Sequence, residues 1–254
     1  MSPIGKLASV EIADKILALG EILSAKIVAA FLRLHGLIAV AYDTSESGLV
    51  TNDVFGNADP LPSAGQLLRH ELERFLVREH VVVVTGFIGH TLDGRVTTLG
   101  RGGSDYTATF IAEAIQADRV EIWKETSLRR TDPRLVQTTP RVSTLTYEQA
   151  AELAASGMKA IHPRALGPVR RAKITTWVRD INAPDQSGTR IGTSIVSGIA
   201  VVRHTCWISL VSEDMCDVPG FLARAAEVFS KRGLDIGVTA TGDIQTGYLR
   251  SYGG

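Results

Sequence analysis

Apolar residues recur at helical spacing through the first part of the chain. Val10, Ile12, Ile16, Leu17 and Leu19 fit one helix over Val10–Leu19, with Gly20 as its C-terminal stop. A second helix is expected from about Glu21 to Leu34, with Ile22, Leu23, Ile27, Val28, Phe31 and Leu32 as its buried stripe, closed by Gly36. Residues 1–8 carry no periodic signal. The pattern then turns to continuous apolar runs. Leu37-Ile38-Ala39-Val40-Ala41-Tyr42 reads as a buried strand reaching Asp43, and Val81–Thr85 as another. Between them lie a polar loop with Gly48, Gly56, Pro60 and Pro62 and a helix near Gly65–Arg78.

Thr97–Ala108 breaks the pattern. Gly100, Gly102 and Gly103 allow a tight turn and a close approach of backbone to a ligand. The stretch from Tyr106 to Ile115 reads as a helix that Ser104 or Asp105 caps. Bare glycines before a helix start make an anion site, and Arg101 adds a planar cationic fork. A glycine turn with an ordinary cap explains the same residues. Arg101 and Asp105 flanking one turn bring the two readings to equal standing.

Downstream, Arg119–Trp123 reads as a strand feeding the loop Lys124–Arg141. Thr146–Ala155 is helical with Thr146 as cap and Gly157 as stop, and Ile161-His162-Pro163 opens the helix Arg164–Ala172. His162 reads as a buried hydrogen-bonding residue. Ile174–Val178 is a strand and Asn182–Gly188 a loop. Strands separated by single helices indicate an α/β domain whose largely parallel sheet is covered on both faces. The character changes near Gly188–Gly192. The strands Ile199–Val202 and Trp207–Val211, the helix Gly220–Arg232 and the strand Ile236–Ala240 then suggest a small second domain.

Composition narrows the classes. At 254 residues, with 44% hydrophobic and 21% charged, the chain has ample material for a core. Basic and acidic residues balance at 27 each, which argues against a general nucleic-acid binder. The local excess Arg129, Arg130, Arg134 and Arg141 reads as a solvated loop. Cys206 and Cys216 match no zinc or thioredoxin-type spacing, and a reduced compartment follows, the cytoplasm by default. No apolar run reaches membrane-spanning length, and the N-terminus lacks a signal-peptide layout.

Ligands of open parallel sheets sit beyond the carboxyl ends of the strands. Asp43, Thr85-Gly86-Phe87 and Lys124-Glu125 fall there, joined by Gly20-Glu21 and the Arg101–Asp105 turn. That set fits a substrate with an amine and a carboxylate beside a phosphate donor. The sequence has no G-x-x-x-x-G-K-S/T, no H-R-D or D-F-G, no G-x-G-x-x-G at Gly100–Asp105, and no H-E-x-x-H or His/Cys cluster for a metal.

Thr97–Ala108, preceded by Val84-Thr85-Gly86-Phe87-Ile88-Gly89, resembles the aspartate kinases of the amino-acid kinase superfamily. Gly20–Ala25 is similar to the family's G-E-x-x-S element, Thr51–Ala58 to T-N-D-x-F-G-x-A, and Gly157–Arg164 to G-A-K-V-L-H-P-R. The tail from Trp207 to about Thr241 resembles the start of the family's regulatory ACT region.

The resemblance implies a three-layer αβα sandwich of the amino-acid kinase type over residues 1–192, N-terminally incomplete. A partial ACT-like α+β unit over 193–254 goes with it. It also implies ATP-dependent phosphorylation of the L-aspartate side-chain carboxylate, the first step towards lysine, threonine and methionine. Arg101 would clamp an aspartate carboxylate and Glu21 face its ammonium. Phe87, Thr98 and Ser104 would line the same pocket, with Asp105 organising the transfer centre. Lys159, Arg134 and the pair Lys124-Glu125 would serve the nucleotide, with Mg²⁺ bridging phosphate oxygens and no dedicated metal ligands. Lysine or threonine is the implied effector, at Asp214–Phe221. A homo-oligomer, or a complex with a full-length aspartokinase, is the implied assembly.

Two departures accompany the match. No K-F-G-G-T-S strand precedes Gly20–Ala25, so a phosphate-cradling lysine is not among these residues and an unpaired sheet edge is expected. Trp123-Lys124-Glu125 stands where many members carry W-T-D, as in a subset of aspartate kinases. The alternative to a kinase is a non-catalytic, amino-acid-binding regulatory relative.

Overall fold

Thirty-two consecutive residues, Pro3–Leu34, wind into one α-helix, α1, in the computed structural model. The structure describes residues 3–125, 141–155, 161–192, 205–211, 221–232, 238–241 and 245–251. The expected break at Gly20 is absent. A lone glycine costs a helix only about 1 kcal/mol relative to alanine, and strong helix formers flank this one on both sides. The buried face also differs from the expected stripe. Ala18, Ala25 and Ala29 are at most 5% exposed, whereas Ile16, Leu23 and Ile27 are 63%, 59% and 66% exposed. Small side chains let α1 lie close against neighbouring strands; the large apolar residues point outward.

Those strands are β1 (Ala39–Tyr42) and β2 (Val81–Val84), which pair in parallel, and β4 (Val96–Thr98). Between β1 and β2 runs α2 (Ala64–Leu76), whose Ala64, Leu68 and Leu72 recur at i, i+4, i+8 and are buried. They join Tyr42, Leu49, Ala58 and Leu99 in the core, with Tyr106 and Phe110 packed alongside. A short hairpin absent from the sequence reading follows: β3 (Ile88–His90) pairs antiparallel with β4 through a turn at Gly94. Buried threonines lock this end of the sheet. Thr44 donates from its hydroxyl to the Ile88 carbonyl at 2.7 Å, and Thr51 and Thr97 share a hydroxyl bond of 2.7 Å.

The helix after the glycine turn is α3 (Gly103–Ile115). Its N-cap is Gly102, with no side-chain capping bond, so neither Ser104 nor Asp105 caps it as expected; both sit inside its first turn. A second sheet comprises β5 (Arg119–Lys124), β6 (Thr144–Thr146), β7 (Thr175–Asp180) and β8 (Thr189–Gly192) in the order β5-β7-β8-β6. Its β5–β7 and β6–β8 pairs are parallel and β7–β8 is antiparallel. The helix α4 (Tyr147–Ala155) packs on β6 and β8, and α5 (Pro163–Ala172) packs between α4 and α3. Thr146 caps α4 as expected: its hydroxyl accepts from Gln149 N–H at 3.1 Å while the Gln149 side chain accepts from Thr146 N–H at 3.0 Å. His162 is the N-cap of α5, its Nδ1 accepting from Arg164 N–H at 3.3 Å.

The chain divides into two compact units, Met1–Gly198 and Ile199–Gly254. In the second, β9 (Thr205–Val211), α6 (Phe221–Lys231), β10 (Val238–Thr241) and β11 (Gln245–Ser251) form an antiparallel sheet, order β10-β11-β9, with one helix. The strand β11, in the sheet's centre, has no counterpart in the sequence reading. The strand expected at Ile199–Val202, the stop at Gly157 and the loop of arginines 129, 130 and 134 lie outside the described residues.

Candidate active site

Two turns of α1 carry Asp14 and Glu21, seven residues apart and therefore on one face of the helix. That face meets the end of β4 and the turn entering α3 at an open cavity of about 700 Å³. Asp14, Glu21, Phe87, Thr98, Arg101, Ser104, Asp105 and Lys124 all contribute to its lining.

The turn is shaped by close contacts. Gly102 has φ +73°, and a Cβ there would lie 2.4 Å from the His162 Cβ, so α5 abuts the turn directly. A Cβ on Gly103 would meet the Phe87 ring at 2.7 Å. Phe87 itself holds φ +70°. Its N–H donates to the Thr107 hydroxyl at 3.0 Å, and that hydroxyl donates to the Gly103 carbonyl at 2.9 Å. The left-handed Phe87 is thus tied to the first turn of α3, whose Gly103, Ser104 and Asp105 line the cavity at the helix's positive dipole end.

Charge is arranged around that end. Lys124, at the end of β5, donates to both Asp105 oxygens at 2.7 and 2.9 Å. Arg101 is exposed and makes no ion pair among the described residues. Burial pushes the Glu21 carboxyl above its ordinary value, a backbone bond from Gly86 offsetting part of the rise. Asp14 is 1% exposed. Its Oδ2 accepts from the Gly56 and Thr98 N–H groups at 2.9 Å each, and its Oδ1 from the Thr98 hydroxyl at 2.8 Å.

Arg164, at the start of α5, binds the same turn from behind. It donates to the Leu99 carbonyl at 2.7 Å and the Ala58 carbonyl at 2.8 Å, pairs with Asp59, and stacks 4.4 Å from the Tyr106 ring centre. The guanidinium fork joins the loop at Gly56–Asp59 to the end of β4.

The structure therefore gathers Glu21, Phe87, Thr98, Arg101, Ser104, Asp105 and Lys124 at one cavity. Glu125 does not line it; its backbone carbonyl accepts from Asn182 Nδ2 at 3.0 Å. Lys159 and Arg134 lie outside the described residues. Asp14 and the positional role of Arg164 were missed by the sequence reading. The available signal for Asp14 was its place seven residues before Glu21, on the same helix face; none pointed to the partners of Arg164. Among the described residues no group of three or more His, Cys, Asp or Glu side chains forms a metal site, and no helix is long and apolar enough to cross a membrane.

A helix N-terminus, an exposed arginine, a lysine and the three carboxylates of Asp14, Glu21 and Asp105 line one cavity on an α/β scaffold. The chain belongs to the amino acid kinase family, whose model matches residues 4–180. Within that family it is similar to aspartokinases. Lysine-sensitive aspartokinase 3 of Escherichia coli (strain K12) is 33% identical over 238 residues, covering 91% of this chain and 53% of that protein. Aspartokinase 1, chloroplastic, of Arabidopsis thaliana is 34% identical over 240 residues, covering 91% and 42%. The crystal structure of E. coli aspartokinase III in complex with aspartate and ADP (R-state) superposes with a TM-score of 0.80 at 31% identity, covering 96% of this chain and 56% of that one. The chain spans about half the length of the curated relatives it matches.

Proposed function

We propose that this chain is the substrate-binding part of an aspartate kinase, which phosphorylates the side-chain carboxylate of L-aspartate with ATP to give 4-aspartyl phosphate. The observation that supports it most is the charge layout of the cavity. Glu21 supplies a carboxylate for the ammonium of aspartate, and Arg101 with the N-terminus of α3 supplies donors for its carboxylates. The relative solved with aspartate and ADP has the same fold and points to the same ligands.

In the transfer, an oxygen of the aspartate side chain attacks the γ-phosphorus of ATP, the bond to the bridging β–γ oxygen breaks, and ADP leaves. Positioning and charge neutralisation do most of this work. Arg101 clamps and orients the acceptor, while Phe87, Thr98 and Ser104 shape its pocket. Lys124 holds Asp105 beside the cavity; the family resemblance assigns Lys124, Glu125, Lys159 and Arg134 to the nucleotide. Mg²⁺ binds proteins through one or two carboxylates plus phosphate oxygens and water. Asp105, whose oxygens accept from Lys124, would offer a single carboxylate for that mode, and the ion would neutralise phosphoryl charge.

The unit 193–254 is assigned as an ACT-like regulatory unit with lysine as effector. The lysine-sensitive relative, and its structure in complex with lysine and aspartate, support that assignment.

Calorimetric titration with L-aspartate, together with coupled detection of ADP from MgATP, tests the reading. Aspartate binding and aspartate-dependent ADP release are expected. Arg101→Ala should weaken aspartate binding on the order of tenfold or more. A folded chain that binds no L-aspartate would refute the assignment.

A further inference from the structure

Asp14 stands apart from the residues assigned above. Its carboxylate is 1% exposed, lines the cavity, and makes no ion pair among the described residues. It instead collects three donors from two elements: the Gly56 N–H at 2.9 Å, the Thr98 N–H at 2.9 Å and the Thr98 hydroxyl at 2.8 Å. A buried carboxylate with no cation is costly unless hydrogen bonds compensate it; these three donors do so, and their arrangement has one chemical consequence. A threonine hydroxyl carries one proton and two lone pairs. The Asp14 Oδ1 takes the proton, so Thr98 has only lone pairs left for anything else that reaches it.

We propose that Asp14 is a positioning residue that fixes the Thr98 hydroxyl as a hydrogen-bond acceptor in the pocket wall and so selects ligands bearing an ammonium. The proposal rests on the aspartate-binding reading and deepens it. Glu21, two turns along the same helix face, supplies the charge that attracts an ammonium; Thr98 supplies an oriented, uncharged acceptor. Asp14 sets the orientation and braces the Gly56 loop and β4 against α1.

Substituting Asp14→Asn isolates the orientation. The amide oxygen can still accept from the two backbone N–H groups, which cannot reverse. The amide nitrogen then faces Thr98, whose hydroxyl must accept from it and turn its own proton elsewhere. The packing is kept while the hydroxyl loses its fixed polarity.

The test is calorimetric titration of the full chain with L-aspartate and with succinate, the same dicarboxylate without the ammonium. Asp14→Asn should lower the ratio of aspartate to succinate affinity on the order of tenfold. Thr98→Val should lower it similarly, Thr98→Ser should preserve it, and the double variant Asp14→Asn/Thr98→Val should fall no further than either single one. Should Asp14→Asn not fold, the Thr98→Val and Thr98→Ser pair reads the same contact. A ratio unchanged in Asp14→Asn and Thr98→Val, with wild type preferring aspartate, overturns this inference alone. Wild type binding neither ligand overturns the functional reading and this inference with it.

Discussion

At the scale of single residues, Glu21 and Gly102 govern what the pocket can hold. Burial raises the Glu21 carboxyl above its ordinary value of 4.5, so on acidification it takes up a proton before an ordinary glutamate does. An ammonium ligand needs the charged form. Affinity for L-aspartate is therefore expected to be full above the raised value and to fall about tenfold per pH unit below it. Titrations across the acid range should show that limb in wild type and lose it in Glu21→Gln. Stability runs the other way: burying the charge costs, so this contribution is greatest below 4.5 and is lost as pH rises through the raised value. At Gly102, φ is +73° and a Cβ would fall only 2.4 Å from that of His162, which leaves no room for a side chain. Gly102→Ala should cost about 2 kcal/mol or more in denaturant unfolding and weaken aspartate binding as the turn shifts.

At the scale of elements, Arg164 couples α5 to the loop and strand that carry the pocket. Its fork satisfies the Leu99 and Ala58 carbonyls at once, a geometry that an ammonium cannot reproduce. Arg164→Ala is expected to lower stability by about 2 kcal/mol in urea unfolding, with Arg164→Lys recovering only part of it. An Arg164→Lys variant as stable as wild type would show that the fork is not what joins these elements. Elements with a strong local signal were legible in the sequence. The helix α2, the strands β1 and β2 and the Thr146 cap of α4 all depend on neighbours a few residues away. Yet β2 is not the buried strand its apolar run suggests: Val81 is 39% exposed and Val82, Val83 and Val84 are half-buried. The hairpin β3–β4 was not legible, because strands of three residues have no period to read and owe their pairing to buried threonines. The cap of α3 was misread for a related reason: polar candidates follow the glycines, and only the contact of Gly102 with His162, far downstream, decides that the glycine is the cap. Glu21, Phe87, Thr98, Arg101 and Asp105 were legible as a set through motifs, whereas Asp14 becomes a site residue only when α1 crosses β4.

At the scale of the whole molecule, α1 shows why apolar periodicity alone does not locate a core. The helix has two apolar faces, and the sequence pattern favours the one with the larger side chains. The fold buries the alanine face instead, because α1 lies close over β1, β2 and β4 and only small residues fit. The outward stripe at 12, 16, 19, 23, 27 and 34, together with exposed Leu37 and Ile38, presents an apolar surface to solvent. The two faces should therefore respond oppositely to substitution. The triple variant Ile16→Gln/Leu23→Gln/Ile27→Gln keeps helix propensity and removes apolar surface that is already in water. It should reduce binding of an anilinonaphthalene sulfonate dye and concentration-dependent light scattering, with circular dichroism and the thermal midpoint nearly unchanged. On the buried face, Ala29→Leu forces extra volume against the strands and should cost about 1–3 kcal/mol. A triple variant that loses helix content while Ala29→Leu is tolerated would mean that the helix buries its large residues in solution, and the placement of Asp14 and Glu21 at the cavity would fall with it.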